Sequence, residues 1–143
     1  MTRPPLLDTT VLIAALRDPA RLAALRHLIA ARHCYLTAVT VAELHAGARS
    51  REQQAAVAQL TAVFARFDRL LAPTVTEWAA AGRLIARARW RQGAMEPRDH
   101  YPDALIAQVA DRLGATIVTA NLADFRAWIA LGRLDATVQD ARD

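Results

Sequence analysis

A single cysteine, Cys34, is all that this chain of 143 residues contains. An internal disulfide is therefore excluded, and a reducing, cytoplasmic compartment is expected. Structural zinc is excluded on similar grounds, because His27, His33, His45 and His100 show no metal-ligand spacing and Cys34 has no second thiol. No apolar run approaches the ~20 residues of a membrane span, so no membrane association is expected. No signal-peptide hydrophobic region precedes the first apolar segment either. A glycine-rich phosphate loop and a Gly-x-Ser-x-Gly elbow are both missing, which removes two large hydrolase classes. Lysine is absent as well: all 18 basic side chains are arginines.

The composition that remains is that of one globular domain spanning residues 1–143, 54% hydrophobic and able to bury a sizeable core. The net charge of +4 and pI near 10.5 favour polyanionic partners. Arginine grips phosphate and carboxylate bidentately, so the excess suits RNA or an acidic protein. A general arginine bias, matched by the many alanines, explains it equally well.

Strand and helix patterns alternate along the chain. Residues 5–8 read as a short apolar strand, and a helix near Thr10 follows it. Asp18-Pro19 opens a helix running to Arg32, with Leu22, Leu25 and Leu28-Ile29 on one face. His33 to Thr37 is expected as a strand, Thr40 to about Arg49 as a helix, and a longer helix through about Phe67. Leu70-Leu71 is a weak strand. From Thr74 to Gln92 the pattern is helical, with Trp78, Ala81, Gly82, Ile85 and Ala88 inward and Arg83, Arg87 and Arg91 on the opposite face. A polar loop at 93–101 precedes a helix at 103–113, a strand at 115–119, a short helix from about Leu122 and a last strand near 134–138. This order implies a three-layer α/β/α fold around a mainly parallel sheet.

Four polar segments fall where strands give way to helices: Asp8-Thr9-Thr10, Glu43 with Gly47, Asp103 after Pro102, and Asn121 with Asp124. In a parallel sheet such junctions share the carboxyl edge, where ligand clefts form. Each has a purely structural reading. Asp8 and Asn121 suit N-caps, Thr40-Val41-Ala42-Glu43 spells a capping box, and Asp103 opposes a helix dipole. Jointly they read differently. Asp103 lies one turn from Ile106 and Ala107, and Glu43 one turn from Ala46 and Gly47, so both carboxylates face packed structure. Converging carboxylates repel unless a cation neutralises them, and hard oxygen ligands suit Mg²⁺ or Mn²⁺. Thr10 and Thr119 are candidates to position water or phosphate, or are simply buried threonines at strand ends. Trp78 is expected in the core, while Trp90 and Trp128 suit base stacking or a dimer interface.

In length and in the order of these motifs, nearly the whole chain resembles the PIN-domain nucleases, and within them the VapC-type toxins of bacterial toxin–antitoxin pairs. Leu7-Asp8-Thr9-Thr10-Val11-Leu12, Ala42-Glu43-Leu44, Asp103-Ala104-Leu105-Ile106-Ala107 and Thr119-Ala120-Asn121 with Asp124-Phe125 carry the resemblance. It implies a single α/β/α domain in the bacterial cytoplasm that cleaves RNA with Mg²⁺ or Mn²⁺. Asp8, Glu43 and Asp103 match the metal-holding acids. Asn121 stands where many members have aspartate, which leaves the fourth charge to Asp124, directly or through water, and weakens a second metal site. Expected partners are an RNA substrate, a cognate antitoxin and a second copy of the chain. One rival is a non-catalytic binding module that lost its metal through Asn121. Another is a haloacid-dehalogenase-like phosphatase, which would want an aspartate at position 10, where Thr10 stands.

Overall fold

The computed structural model describes residues 2–31 and 33–142. Five parallel strands form the centre: β1 (Pro5–Leu7), β2 (Leu36–Thr37), β3 (Leu70–Leu71), β4 (Thr116–Thr119) and β5 (Thr137–Asp140). β1 pairs with β4 and β4 with β5, while β2 pairs with β3. A parallel bridge between Leu6 and Tyr35 joins the two groups, through Leu7 N to Tyr35 O at 3.0 Å and Tyr35 N to Pro5 O at 2.9 Å. The spatial order is thus β3-β2-β1-β4-β5, with its reversal between β1 and β4.

Among the described residues seven α-helices cover the sheet: α1 (Thr9–Arg17), α2 (Pro19–Ala30), α3 (Ala38–Gly47), α4 (Arg51–Arg66), α5 (Val75–Gln92), α6 (Tyr101–Leu113) and α7 (Leu122–Gly132). Successive residues of β1 point to opposite faces, as a strand requires. Leu7 packs with Leu12, Leu25, Ile29, Leu60 and Phe64 from α1, α2 and α4. Leu6 packs with Ile106, Val109, Ile117 and Phe125 on the α6–α7 side. A third apolar cluster, with Ala81, Leu84, Ile85, Leu105 and Trp128, fastens α5 to α6 and α7. The result is the expected α/β/α sandwich. No helix among the described residues is long and apolar enough to cross a membrane.

Local sequence explains the helix boundaries. The Asp18 side chain accepts from Ala20 N and Pro19 occupies the first helical position of α2. That helix ends at Ala30, and Arg32, its expected last residue, lies outside the described residues. Gly114, at φ +61°, stops α6 in a left-handed conformation that disfavours any side chain. The capping box of the chain is Thr74–Glu77, where both reciprocal bonds form and Arg112 Nε reaches Glu77 Oε2 at 3.0 Å. Thr74→Ala should therefore lower stability by about 1 kcal/mol, on the order of 2–4 °C, whereas Val75→Ala beside it, 86% exposed, should change little. Thermal melts of the two variants check this.

Several expectations need correction. Thr40–Glu43 is not a capping box: α3 starts at Ala38, and Thr37 is its N-cap, accepting from Thr40 N at 3.2 Å. β2 spans two residues rather than five. Trp78 is half exposed, with the Tyr101 ring, 5.9 Å away and tilted, beside it where α6 begins. Leu28 is also largely exposed. Tyr101–Pro102 belongs to α6, and a 3₁₀ turn at Pro97–Asp99 occupies the expected loop. The last strand runs over Thr137–Asp140, because Leu134 is spent on packing against the α5–α7 cluster.

Candidate functional site

Six polar or charged residues are buried among the described ones, and four of them, Asp8, Thr37, Thr40 and Thr119, sit at the carboxyl edge of the sheet. Asp8 follows β1 and Thr119 closes β4, so they flank the reversal in strand order, where doubly wound sheets open their ligand clefts. A buried carboxylate needs compensation. Asp8 Oδ2 receives two hydroxyls, from Thr119 at 2.8 Å and Thr10 at 3.1 Å. Those hydroxyls are oriented in turn by backbone amides of the β4–α7 connection: Asn121 N donates to Thr119 Oγ1 at 2.9 Å and Ala120 N to Thr10 Oγ1 at 3.1 Å. Oδ1 has no hydrogen-bond partner among the described residues. Asp8 occupies the N-cap position of α1, yet makes no side-chain cap bond.

Glu43 is held by Thr9, whose Oγ1 donates to Oε1 at 2.6 Å. Thr9 escaped the sequence reading, which singled out Thr10 and Thr119. The signal was the Thr-Thr pair itself, because consecutive residues of a helical turn point about 100° apart. One threonine returns to Asp8 while its neighbour reaches across to α3.

Asp103 stands in the first turn of α6 and Asp124 in the first turn of α7. The Asp103 carboxyl is pushed up from 3.8 to about 7, first by burial and then by the negative charges of Asp8, Glu43 and Asp124. The four acids named from the sequence therefore share one electrostatic neighbourhood. Among the described residues none of the four is ion-paired, although the chain carries 18 arginines. Asn121 is different. It is exposed at the N-cap of α7, its side chain makes no cap bond, and only its backbone amide joins the network, through Thr119.

Hard oxygen donors that repel one another, with no ion pair to an arginine among the described residues, fit a divalent cation. Among the described residues no three acids, histidines or cysteines stand close enough to ligate one ion jointly. Such spacing is compatible with Mg²⁺, which keeps several waters and uses few direct carboxylates. Cys34 is not a reactive group here, as burial pushes its thiol up to about 11.

A cleft of about 410 Å³ is lined by Asp103 and Asp124 together with Ala88, Arg91, Gln92, Met95, Trp128 and Leu131. Trp128 is thus part of the core and of this wall, with the His100 ring 5.9 Å from its own. Trp90 is 80% exposed. The basic stripe of α5 is not uniform: Arg87 is committed to Leu131 O at 3.1 Å, Arg83 is exposed, and Arg91 lines the cleft.

Comparison with known proteins agrees with this architecture. The PIN-domain family model matches residues 6–127. None of the curated proteins matches the chain. Among solved structures, FitAB bound to an IR36 DNA fragment superposes with a TM-score of 0.69 at 23% identity, covering 97% of this chain and 96% of the other. DNA-bound VapBC from Salmonella typhimurium gives 0.67 at 20% identity, covering 99% of each. VapBC2 from Rickettsia felis, bound to a promoter DNA fragment, gives 0.62 at 18%, covering 95% and 97%. At these identities the likeness is one of fold.

Proposed function

Because the chain belongs to the PIN-domain family, we propose that it is a Mg²⁺- or Mn²⁺-dependent endoribonuclease acting as the toxin of a bacterial type II toxin–antitoxin pair. The observation that carries the reading is the set of four carboxylates that no arginine among the described residues ion-pairs, close enough to drive Asp103 up to about 7. Asp8, Glu43 and Asp103 would serve the ion partly through its bound waters, since no three of the described acids are close enough to ligate it jointly, with Asp124 supplying further charge. When bound, the ion acts as a Lewis acid for the scissile phosphate and stabilises the charge that develops there.

The chain's own groups prepare that chemistry. Thr10 and Thr119 fix the rotamer of Asp8 by donating to one oxygen, which leaves the other directed to a ligand. Thr9 does the same for Glu43. Hydrogen bonds of this kind hold ligating oxygens in place and sustain metal affinity. Asn121, with a free carboxamide, serves as a hydrogen-bonding group toward water or phosphate rather than as a metal ligand. The neighbours FitAB and VapBC are assemblies seen with DNA. A small antitoxin that covers the acidic cleft is the corresponding partner here, with a second copy of the chain and a cytoplasmic location completing the reading.

The test is cleavage of end-labelled RNA by the purified protein. Activity should require Mg²⁺ or Mn²⁺, vanish in EDTA and return on adding the metal back. The product of an adjacent small reading frame should bind and inhibit. Full cleavage in excess chelator, by protein shown free of contaminating nuclease, would contradict the metal mechanism. Absence of cleavage under every metal condition would favour the binding-module reading instead.

A further inference from the structure

We propose that the 410 Å³ cleft beside Asp103 and Asp124 seats the nucleotide adjacent to the one cut, with Arg91 taking its phosphate and Gln92 meeting its base. This rests on the nuclease reading and adds to it the residues of this chain that seat and select the RNA strand.

Three observations converge. The cleft carries both signs, since Asp103, Asp124 and Arg91 all line it, and Arg91 has no ion pair or hydrogen bond among the described residues. A phosphodiester strand whose one phosphate meets a cation at the carboxylates has its next phosphate available to that guanidinium. Arginine's planar fork matches a phosphate bidentately. Second, the space is of the right size, since pockets for small organic ligands start at about 300 Å³. It admits one nucleotide and is too small for a duplex. Third, the same lining supplies the apolar surface a nucleobase needs, with Met95, Ala88 and Trp128. Beside it the Gln92 carboxamide, also without a partner among the described residues, offers both donors and an acceptor to a base edge. Single-stranded RNA is recognised by this combination of apolar contact, edge hydrogen bonding and backbone charge. Arg87 cannot play this part, being engaged with α7, and Arg83 lies two turns farther along α5, outside the cleft.

The experiment uses the full chain with Mn²⁺ and a short single-stranded RNA containing one cleavage site. Each of the four bases is placed in turn on either side of that site. Arg91→Ala should raise KM about ten- to a hundredfold, the range for losing a charged hydrogen bond, while leaving kcat near wild type. The slope of log affinity against log salt should fall by about 0.7, one phosphate contact to a single strand. Arg91→Lys should restore that slope. Arg83→Ala removes the same charge outside the cleft and should change neither quantity. Gln92→Ala should alter the ranking of the flanking bases with little effect on the best substrate's kcat.

Wild-type KM and salt slope in Arg91→Ala would overturn the proposal, as would equal effects from Arg83→Ala. Loss of inhibition by a protein partner in Arg91→Ala, with RNA affinity unchanged, would assign the cleft to that partner and overturn it too. A failure of the nuclease reading is distinguishable, because it appears in the wild type as no cleavage of any RNA. Arg91 is exposed, so its variants should melt within about 0.5 kcal/mol of wild type, which the same preparations verify.

Discussion

Asp103→Asn should abolish RNA cleavage and at the same time make the metal-free protein more stable at pH 8. Its carboxyl is raised from 3.8 to about 7 by burial and by Asp8, Glu43 and Asp124. Between those two values the unfolded chain has released a proton that the folded chain still holds. Stability therefore falls as pH rises from about 4 to about 7 and is level above that range. Asparagine keeps the volume but has no proton to lose, so the variant escapes the penalty. Its gain over wild type should reach roughly 1–4 kcal/mol at pH 8, on the order of 3–10 °C, and shrink toward zero near pH 4. Saturating Mn²⁺ should reverse the order by stabilising only the wild type, because the ion relieves the same repulsion. Activity goes the other way, with a loss of about 10³-fold, since a metal ligand contributes several kcal/mol to the transition state. Melting curves at pH 4 and pH 8 with single-turnover cleavage measure both effects. A variant no more stable than wild type at pH 8 without metal would show that the four carboxylates do not crowd one another.

That crowding was legible in the sequence, because strand-end acids in a parallel α/β pattern have only one edge on which to gather. Asp8, Glu43, Asp103 and Asp124 were identified by position, and the structure brings their charges together. β4 and α6 were readable for local reasons, as Thr116–Thr119 is an unbroken β-branched run and 103–113 places Leu105, Ile106, Val109 and Leu113 at helical spacing. The local partners were not legible. Thr40-Val41-Ala42-Glu43 satisfies the pattern of a capping box, but β2 ends at Thr37 and its hydroxyl captures the Thr40 amide first. Glu43 is thereby free to accept from Thr9, a contact between residues 34 apart that no short-range pattern encodes. Trp78 has the right period for the core, yet burial depends on where α6 begins, and beside Tyr101 it stays half exposed. Periodicity names a face; it does not say how far the opposing element extends. Arg91 likewise shares its stripe with Arg83 and Arg87, and tertiary packing alone separates their uses.

Asp8→Asn should eliminate Mn²⁺ binding and cleavage while leaving the fold intact, and Asp8→Ala should lose both activity and stability. The difference follows from the two threonine hydroxyls. Each accepts from a backbone amide of the β4–α7 connection and spends its own proton on Asp8 Oδ2. An asparagine carboxamide can present its oxygen to both hydroxyls, so the network survives. Its NH₂ then occupies the place of Oδ1, where a donor group and a missing charge both oppose a cation. The expected loss of rate is again about 10³-fold, with a metal-free melting temperature at or above that of wild type, since one of the crowded charges is gone. Alanine removes the acceptor altogether. The Thr119 hydroxyl, fully buried, then loses its partner at a cost of ~1–3 kcal/mol, and the Asn121 turn loosens with it. Isothermal titration with Mn²⁺, melting curves and single-turnover cleavage on the two variants separate charge from scaffold. Wild-type Mn²⁺ affinity in Asp8→Asn would remove Asp8 from the metal site and leave it as a structural anchor between β1 and β4.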